Sequence, residues 1–265
     1  MLNRILVIVL FLLAITAASS LTLLYVKSKG GASSTSVAGG TDEKKVQEIV
    51  KDFLTKNPQV IVESFVKARE AEQLNEQQKA ESAIEENRAE IESSDKSPTA
   101  GNPNGDVVLV AFHDYNCGFC KRSVPDVVEI LNTDKNVKFV IKEFPILGDL
   151  SVEKAKASEA VNKVAPEKWF SFYQELSKKS PQSIEGVLEV AASLGVNPEL
   201  IRSEMKSEDI QNKVNDNLAL GQKVGVRGTP AFIIGGKFVN GAIGLDNMKE
   251  LVEAARANGS GKSGS

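Results

Sequence analysis

Apolar side chains first recur at helical spacing where Val46, Ile49, Val50, Phe53 and Leu54 line one face of a stretch that starts near residue 41. Asn57-Pro58 then reads as a stop and restart, with Asn57 as N-cap and Pro58 at the first helical position. Ile61, Phe65 and Ala68 continue on one face. From Glu70 to Glu92 the residues are strong helix formers, but the only large apolar side chains are Leu74, Ile84 and Ile91. Such a helix buries little by itself. DKSPTAGNPNGD, residues 95–106, breaks the pattern with Pro, Gly and Asn.

After that break the period changes. VVLVAF, residues 107–112, is a short β-branched run that predicts a buried strand, and Val124, Val127, Val128 and Leu131 then mark an amphipathic helix from about Gly118 to Asn132. VKFVIKEF, residues 137–144, predicts the next strand. Strand, helix and strand in this order form a βαβ unit with a parallel pair and the functional loop at the strand's C-terminal end. Some seventy helical residues follow, after which AFII (231–234) and KFVNG (237–241) predict a hairpin turned by Gly235-Gly236. LDNMKELVEAARA closes the pattern with a helix. Trp169, Phe170, Phe172 and Tyr173 are expected to be core of the helical stretch rather than a client-binding surface.

The first forty residues differ in kind. Arg4 precedes an uncharged apolar run from Ile5 to Val26, which at ~1.5 Å per residue reaches roughly 33 Å, enough for an anchor in a membrane. Ala17, Ala18, Ser19 and Ser20 equally fit a cleavable signal peptide. Both readings of residues 1–29 stay open, and both direct the remainder out of the cytoplasm, where a disulfide persists. GGASSTSVAGG, residues 30–40, is a flexible Gly/Ser linker. The expected order is therefore leader, linker, N-terminal helical arm over 41–94, folded domain over 95–258 and flexible tail over 259–265. The apolar stripes of residues 41–93 expose more surface than a spacer requires, which favours a homo-oligomerisation segment; a plain spacer and docking on the following domain are the other readings.

Composition narrows the partners. With 42% hydrophobic and 25% charged residues and a formal net charge of -3, the chain is an ordinary globular sequence without the basic stripe of a nucleic-acid binder. Its only two cysteines, Cys117 and Cys120, stand in FHDYNCGFCKRSVP with two residues between them. Two cysteines and one histidine, His113, fall short of the four ligands of structural zinc, so no metal is expected. His113 reads as a strand-end residue facing the site or solvent. A structural staple gains almost nothing, because stabilisation grows with the loop closed and this loop is minimal.

A reactive pair remains. Cys117 falls at the start of the predicted helix, where free N–H groups and the helix dipole favour a thiolate. Taking ~1–2 kcal/mol for that placement, a thiol pKa of ~8.5 falls by roughly one unit, to near 7. Cys120, one turn further in, is the less exposed, resolving thiol. Gly118 allows close approach of a substrate chain, and Phe119 adds apolar contact but no charge. Without a cation between the cysteines, an intermediate reduction potential is expected.

FHDYNCGFCKRSVP, KEFPILG and GVRGTPAFIIGG together resemble the DsbA-like thiol-disulfide oxidoreductases of the thioredoxin superfamily, from about Asp106 to Ala257. The resemblance implies an α/β thioredoxin fold with a helical insertion at about 151–225, and a cis proline at Pro230 preceded by Thr229, whose backbone pairs with the substrate chain. No cofactor is implied beyond the redox-active Cys117-Cys120 disulfide. Two departures stand out. Many family members carry a buried acid six residues before the first cysteine, where this chain has Ala111; Asp114 and Glu143 are the candidates for handling the Cys120 proton instead. The Gly-Phe dipeptide is closer to the Gly-Tyr of disulfide isomerases than to the Pro-His of strong oxidases, and the N-terminal segment is similar to the stalk of oligomeric isomerases of the suppressor-of-copper-sensitivity type. The implied clients are cysteine-containing unfolded or misfolded exported proteins, with a DsbB-like or DsbD-like membrane redox partner and a periplasmic location. A reductase, and a non-redox surface or chaperone protein, are the alternatives.

Overall fold

The computed structural model describes residues 43–93 and 97–260. The leader and linker expected over residues 1–40 lie outside the described residues, as do 261–265 of the expected tail. Among the described residues no helix is long and apolar enough to cross a membrane. The chain divides into two compact units that meet between Ala68 and Arg69.

In the first unit, helix α1 (Glu43–Lys56) has the predicted apolar stripe but no buried residue. Helix α2 (Pro58–Glu86) starts at Pro58, as the missing proline N–H favours. Asn57 does not cap it in the expected way: its side-chain amide donates back to the Phe53 carbonyl at 2.9 Å and so closes α1.

The second unit is built on a five-stranded sheet of order β1-β3-β2-β4-β5. These strands are β1 (Thr99–Gly101), β2 (Val107–His113), β3 (Val137–Glu143), β4 (Ala231–Ile234) and β5 (Lys237–Asn240). Strands β2 and β3 pair in parallel from Val107↔Val137 to His113↔Glu143, across helix α4 (Gly118–Thr133). Strands β4 and β5 are antiparallel, and Gly235 and Gly236 turn between them with φ of +55° and +86°. A side chain at 235 would also strike Ala255.

Alternation along the central strand defines two cores. Leu109 and Ala111 share one face with Phe139 and Ile141, and pack with Val124 and Val127 of α4 and Met248 and Val252 of the final helix, α10 (Leu245–Ser260). Val110 and Phe112 point the other way, among Phe144, Leu220 and Ile233. Both faces being covered explains the unbroken apolar run of 107–112. Each large apolar side chain so buried stabilises the fold by about 1.5–3 kcal/mol.

Two features depart from the expected boundary at 95. Ile84, near the end of α2, and Ile91, in the short helix α3 (Arg88–Glu92), are 1% and 0% exposed in the second core, so the domain's packing begins inside the expected arm. Strand β1 lies within the Pro/Gly-rich break and pairs antiparallel with β3. Lys138 and Lys142 of β3 then fasten α3 by donating to the carbonyls of Glu92 and Glu90, the acceptors a helix end leaves unpaired.

Between β3 and β4 come five helices: α5 (Asp149–Val164), α6 (Pro166–Lys179), α7 (Ile184–Ser193), α8 (Pro198–Glu204) and α9 (Glu208–Lys223). Their starts follow the sequence. Ser183, Asn197 and Ser207 accept from the first free N–H groups, and Pro166 and Pro198 occupy first-turn positions. Trp169, Phe172 and Tyr173 of α6 are fully buried beside Phe139, in the core as expected.

Candidate active site

The β2–α4 loop carries the cysteines to the end of the sheet. Cys117 is the N-cap of α4 in extended conformation (φ -72°, ψ 119°), with no side-chain cap bond, and its own N–H donates to the Asp114 carbonyl at 3.0 Å. Both cysteines are free thiols. Cys117 is 6% exposed and Cys120 is fully buried.

Their acidities are driven apart. Burial works against ionisation of Cys117, but the Thr229 side chain, the N–H and thiol of Cys120 and the N–H of Phe119 outweigh it, so the pKa is lowered. Backbone donors at the helix start thus supply the effect expected of the dipole. For Cys120, burial raises the pKa strongly, and the neighbouring Cys117 raises it further against the opposing N–H of Asp114. Cys117 is thus the more acidic of the two thiols.

Opposite the cysteines, the Thr229-Pro230 peptide bond is cis, and the Thr229 carbonyl accepts from the Cys117 thiol at 3.1 Å. The geometry therefore brings Cys117, Cys120, Thr229 and Pro230 to one place from segments more than a hundred residues apart. A Cβ at Gly118 would meet the Arg122 guanidinium at an ordinary 3.7 Å, and Phe119 is 59% exposed with that guanidinium 4.2 Å above its ring. Lys121 bonds the Ser180 hydroxyl. Ile146 and Leu147, just after β3, are also exposed apolar residues.

The two candidate acids have different surroundings. Asp114 accepts from the N–H groups of Asn116 (2.7 Å), Ile146 (2.8 Å) and Leu147 (3.0 Å) and from the Ser151 hydroxyl (2.8 Å). Its carboxylate ties the cysteine loop to the loop after β3. Glu143 is fully buried; its Oε1 accepts from the Tyr115 hydroxyl at 3.2 Å and its Oε2 has no partner among the described residues. Burial, then the nearby Glu159, push its pKa well up.

His113 faces neither the solvent nor the open site. Its ring packs against Tyr115 and Tyr173, with centroids 4.7 and 5.2 Å away. Burial, aided by Lys121, lowers its pKa to about 3, so it stays neutral. Residues missed by sequence reasoning complete this interior: Ser158 accepts from the Trp169 indole at 2.9 Å and meets the Tyr115 hydroxyl at 2.9 Å. The available signal was an acid inside an apolar run, Glu143 in VKFVIKEF and Glu159 in ASEAV.

The mixed five-stranded sheet, with a CxxC pair at the start of α4 and a cis proline against its first thiol, is an arrangement of the thioredoxin class. The thioredoxin family model matches residues 92–254, and the chain belongs to that family. More narrowly, it is a DsbA-like thiol-disulfide oxidoreductase. It is 28% identical over 167 residues to disulfide bond formation protein D of Bacillus subtilis, covering 59% of this chain and 75% of that one. The crystal structure of the thiol-disulfide exchange protein alpha-DsbA2 from Wolbachia pipientis matches with 30% identity and a TM-score of 0.62, over 66% of this chain and 95% of that one. Proteus mirabilis ScsC, in a transitional conformation, matches with 29% identity and a TM-score of 0.63, over 82% and 98%.

Proposed function

We propose that the protein forms or isomerises disulfides in exported proteins, outside the cytoplasm, through its CGFC pair. In this reading Cys117 is the attacking thiolate, Cys120 resolves the mixed disulfide, and the Thr229-Pro230 segment aligns the client backbone beside the sulfur. The observation that carries it is the Cys117 thiol held 3.1 Å from the Thr229 carbonyl, with its acidity raised while that of Cys120 is suppressed. Exposed Phe119, Ile146 and Leu147 suit clients whose apolar segments have not yet been buried. A DsbB-like or DsbD-like membrane protein would reset the pair, and Ile5 to Val26 would export the chain and either anchor it or be removed. The unburied stripe Val46, Ile49, Val50 and Phe53 supports self-association through residues 41–93.

The test is the equilibrium reduction potential of the Cys117-Cys120 pair in graded glutathione buffers. A value of about -120 to -180 mV supports disulfide formation or isomerisation, and one near about -270 mV replaces that reading with a reductase. Alongside it, a Cys120→Ser form should accumulate mixed disulfides with clients on Cys117. Failure to trap any would refute the assignment of the attacking thiol.

A further inference from the structure

A groove of about 590 Å³ opens beside the cysteine pair, between helices α4 and α6. Its size falls within the roughly 300–1,000 Å³ of ordinary ligand clefts. The groove begins at the CGFC motif. The Arg122 guanidinium lies 4.2 Å over the Phe119 ring and 3.7 Å from where a Cβ at Gly118 would stand, so the dipeptide between the cysteines forms one lip. Lys121, whose N–H donates to the Cys117 carbonyl at 3.1 Å, reaches across and donates from its ammonium to the Ser180 hydroxyl, just past the end of α6. Val124, Pro125 and Val128 of α4 line the groove with apolar surface.

Its charge is one-sided. Lys121, Arg122 and Lys178 line it against a single acid, Glu175, which lies 3.6 Å from Lys179. On a chain of net charge -3, this is a local reversal of sign. None of the three cations is paired with a carboxylate among the described residues. Lys121 keeps two ammonium hydrogens after bonding Ser180, and Arg122, set with its charge over the Phe119 ring, keeps N–H groups that fit the two oxygens of a carboxylate. The groove also holds an unanswered donor: Ser177 lines it at 4% exposure, and its hydroxyl has no hydrogen-bond partner among the described residues. Protein interiors usually satisfy such a group. Ser180 adds a third sign, because it is the one non-glycine residue with positive φ among those described, at 47°. Glycine takes that conformation more readily, but only a side chain supplies the hydroxyl that holds the Lys121 ammonium at the rim.

Reach sets where an occupant's charge must sit. At ~1.5 Å per helical residue, Lys121 and Val128 lie about 6 and 16 Å along α4 from Cys117, a span that an extended chain at ~3.4 Å per residue covers in about two to five residues. We propose that the α4–α6 groove is a client subsite that reads acid, taking an extended client segment with an Asp or Glu within that reach of its reacting cysteine. Lys121, Arg122 and Lys178 hold the carboxylate, the Ser177 hydroxyl donates to the bound segment, and Val124, Pro125 and Val128 cover its apolar neighbours. The proposal rests on the exchange chemistry proposed above and adds to it a preference among clients.

The test measures how fast cysteine peptides reduce the oxidised full-length protein. The peptides are identical except for Glu, Gln or Lys placed three residues from the cysteine, on either side. Each rate is divided by that peptide's rate with the neutral hydroxyethyl disulfide, which removes differences in thiol acidity. In at least one placement the Glu peptide should exceed its Gln counterpart by about tenfold in second-order rate constant, as a charge-assisted hydrogen bond provides. The excess should shrink at high salt. In Arg122→Gln and in Lys178→Gln the Glu-to-Gln ratio should fall toward one, and Lys178→Glu should favour the Lys peptide, a gain that misfolding does not produce. Equal rates for Glu and Gln peptides in both placements on the wild type overturn the proposal, as does a preference that survives all three substitutions. A Lys178→Glu protein with an altered sedimentation coefficient and an unaltered peptide preference gives the groove to a second copy of the chain, and that also overturns it. If no peptide reduces the protein, the exchange reading itself fails; if all reduce it equally, the subsite alone is refuted.

Discussion

Helices α1 and α4 are of similar length, 14 and 16 residues, and each has an apolar stripe at helical spacing. Yet α1 buries no residue, whereas α4 buries Cys120, Ser123, Val124, Val127, Ile130 and Leu131. The difference is what the stripe meets. The stripe of α4 follows directly on a strand and closes over it within a βαβ unit, so its partner is local and obligatory. The stripe of α1 has no such neighbour in sequence. Periodicity fixes which face of a helix is apolar but does not name what covers it.

That comparison can be broken most forcefully by placing a charge on each stripe. Val127→Asp puts an unpaired carboxylate at a position with 0% exposure and should cost about 3–5 kcal/mol, seen as loss of the cooperative denaturant transition. Val50→Asp, at 49% exposure, should leave that transition within about 0.5 kcal/mol of wild type. The same variant should lower the sedimentation coefficient if the stripe joins copies of the chain. Equal destabilisation by both changes would show that α1 is docked.

Helix α2 contains the contrast within itself. Ile84→Ala removes a side chain buried in the second core and should cost about 2–5 kcal/mol in chemical unfolding, whereas Leu74→Ala, at 57% exposure, should cost almost nothing. A neutral Ile84→Ala would return the domain boundary to residue 95.

The third test is pH. Burial, only partly offset by Lys213 and Lys142, raises the Glu159 pKa to about 7. The folded state therefore binds this proton more tightly than the unfolded chain. Stability attributable to the site is greatest below about pH 4.5, falls as pH rises toward 7, and is then constant. Glu159→Gln should remove a decline of about 3 kcal/mol across that window, measured as the difference between the two proteins' melting curves. Parallel curves would mean that Glu159 is not held protonated. On the exposed side the expected effect is smallest: Asp52→Asn breaks the exposed Lys56–Asp52 pair of α1 and should change stability by less than about 0.5 kcal/mol in the same melts.

These contrasts also explain what could be read from the sequence. The β2–α4–β3 unit was legible because β-branched runs and a 3.6-residue stripe alternate there without interruption. The cis bond at Thr229-Pro230 and its place beside Cys117 were expected from the resemblance of the quoted motifs. Strand β1 was not, since its three residues contribute backbone hydrogen bonds rather than an apolar signal. Ile84 and Ile91 were too sparse to announce a core, although their isolation in a polar helix is what a short docking patch looks like. The staple formed by Asp114 and the hydrogen-bond network around Tyr115 depend on side chains brought together by the α5 and α6 helices, and no local pattern encodes that meeting.

The Gly118-Phe119 dipeptide combines two properties that seldom coincide. It separates the two cysteines, yet an added Cβ at 118 comes no nearer than 3.7 Å to the Arg122 side chain, and the ring at 119 stands mostly in solvent. Side-chain changes at these two codons therefore leave the packing beneath them undisturbed. If the pair exchanges disulfides as proposed above, a library randomised at these two positions should vary the exchange chemistry while the scaffold beneath is inherited unchanged.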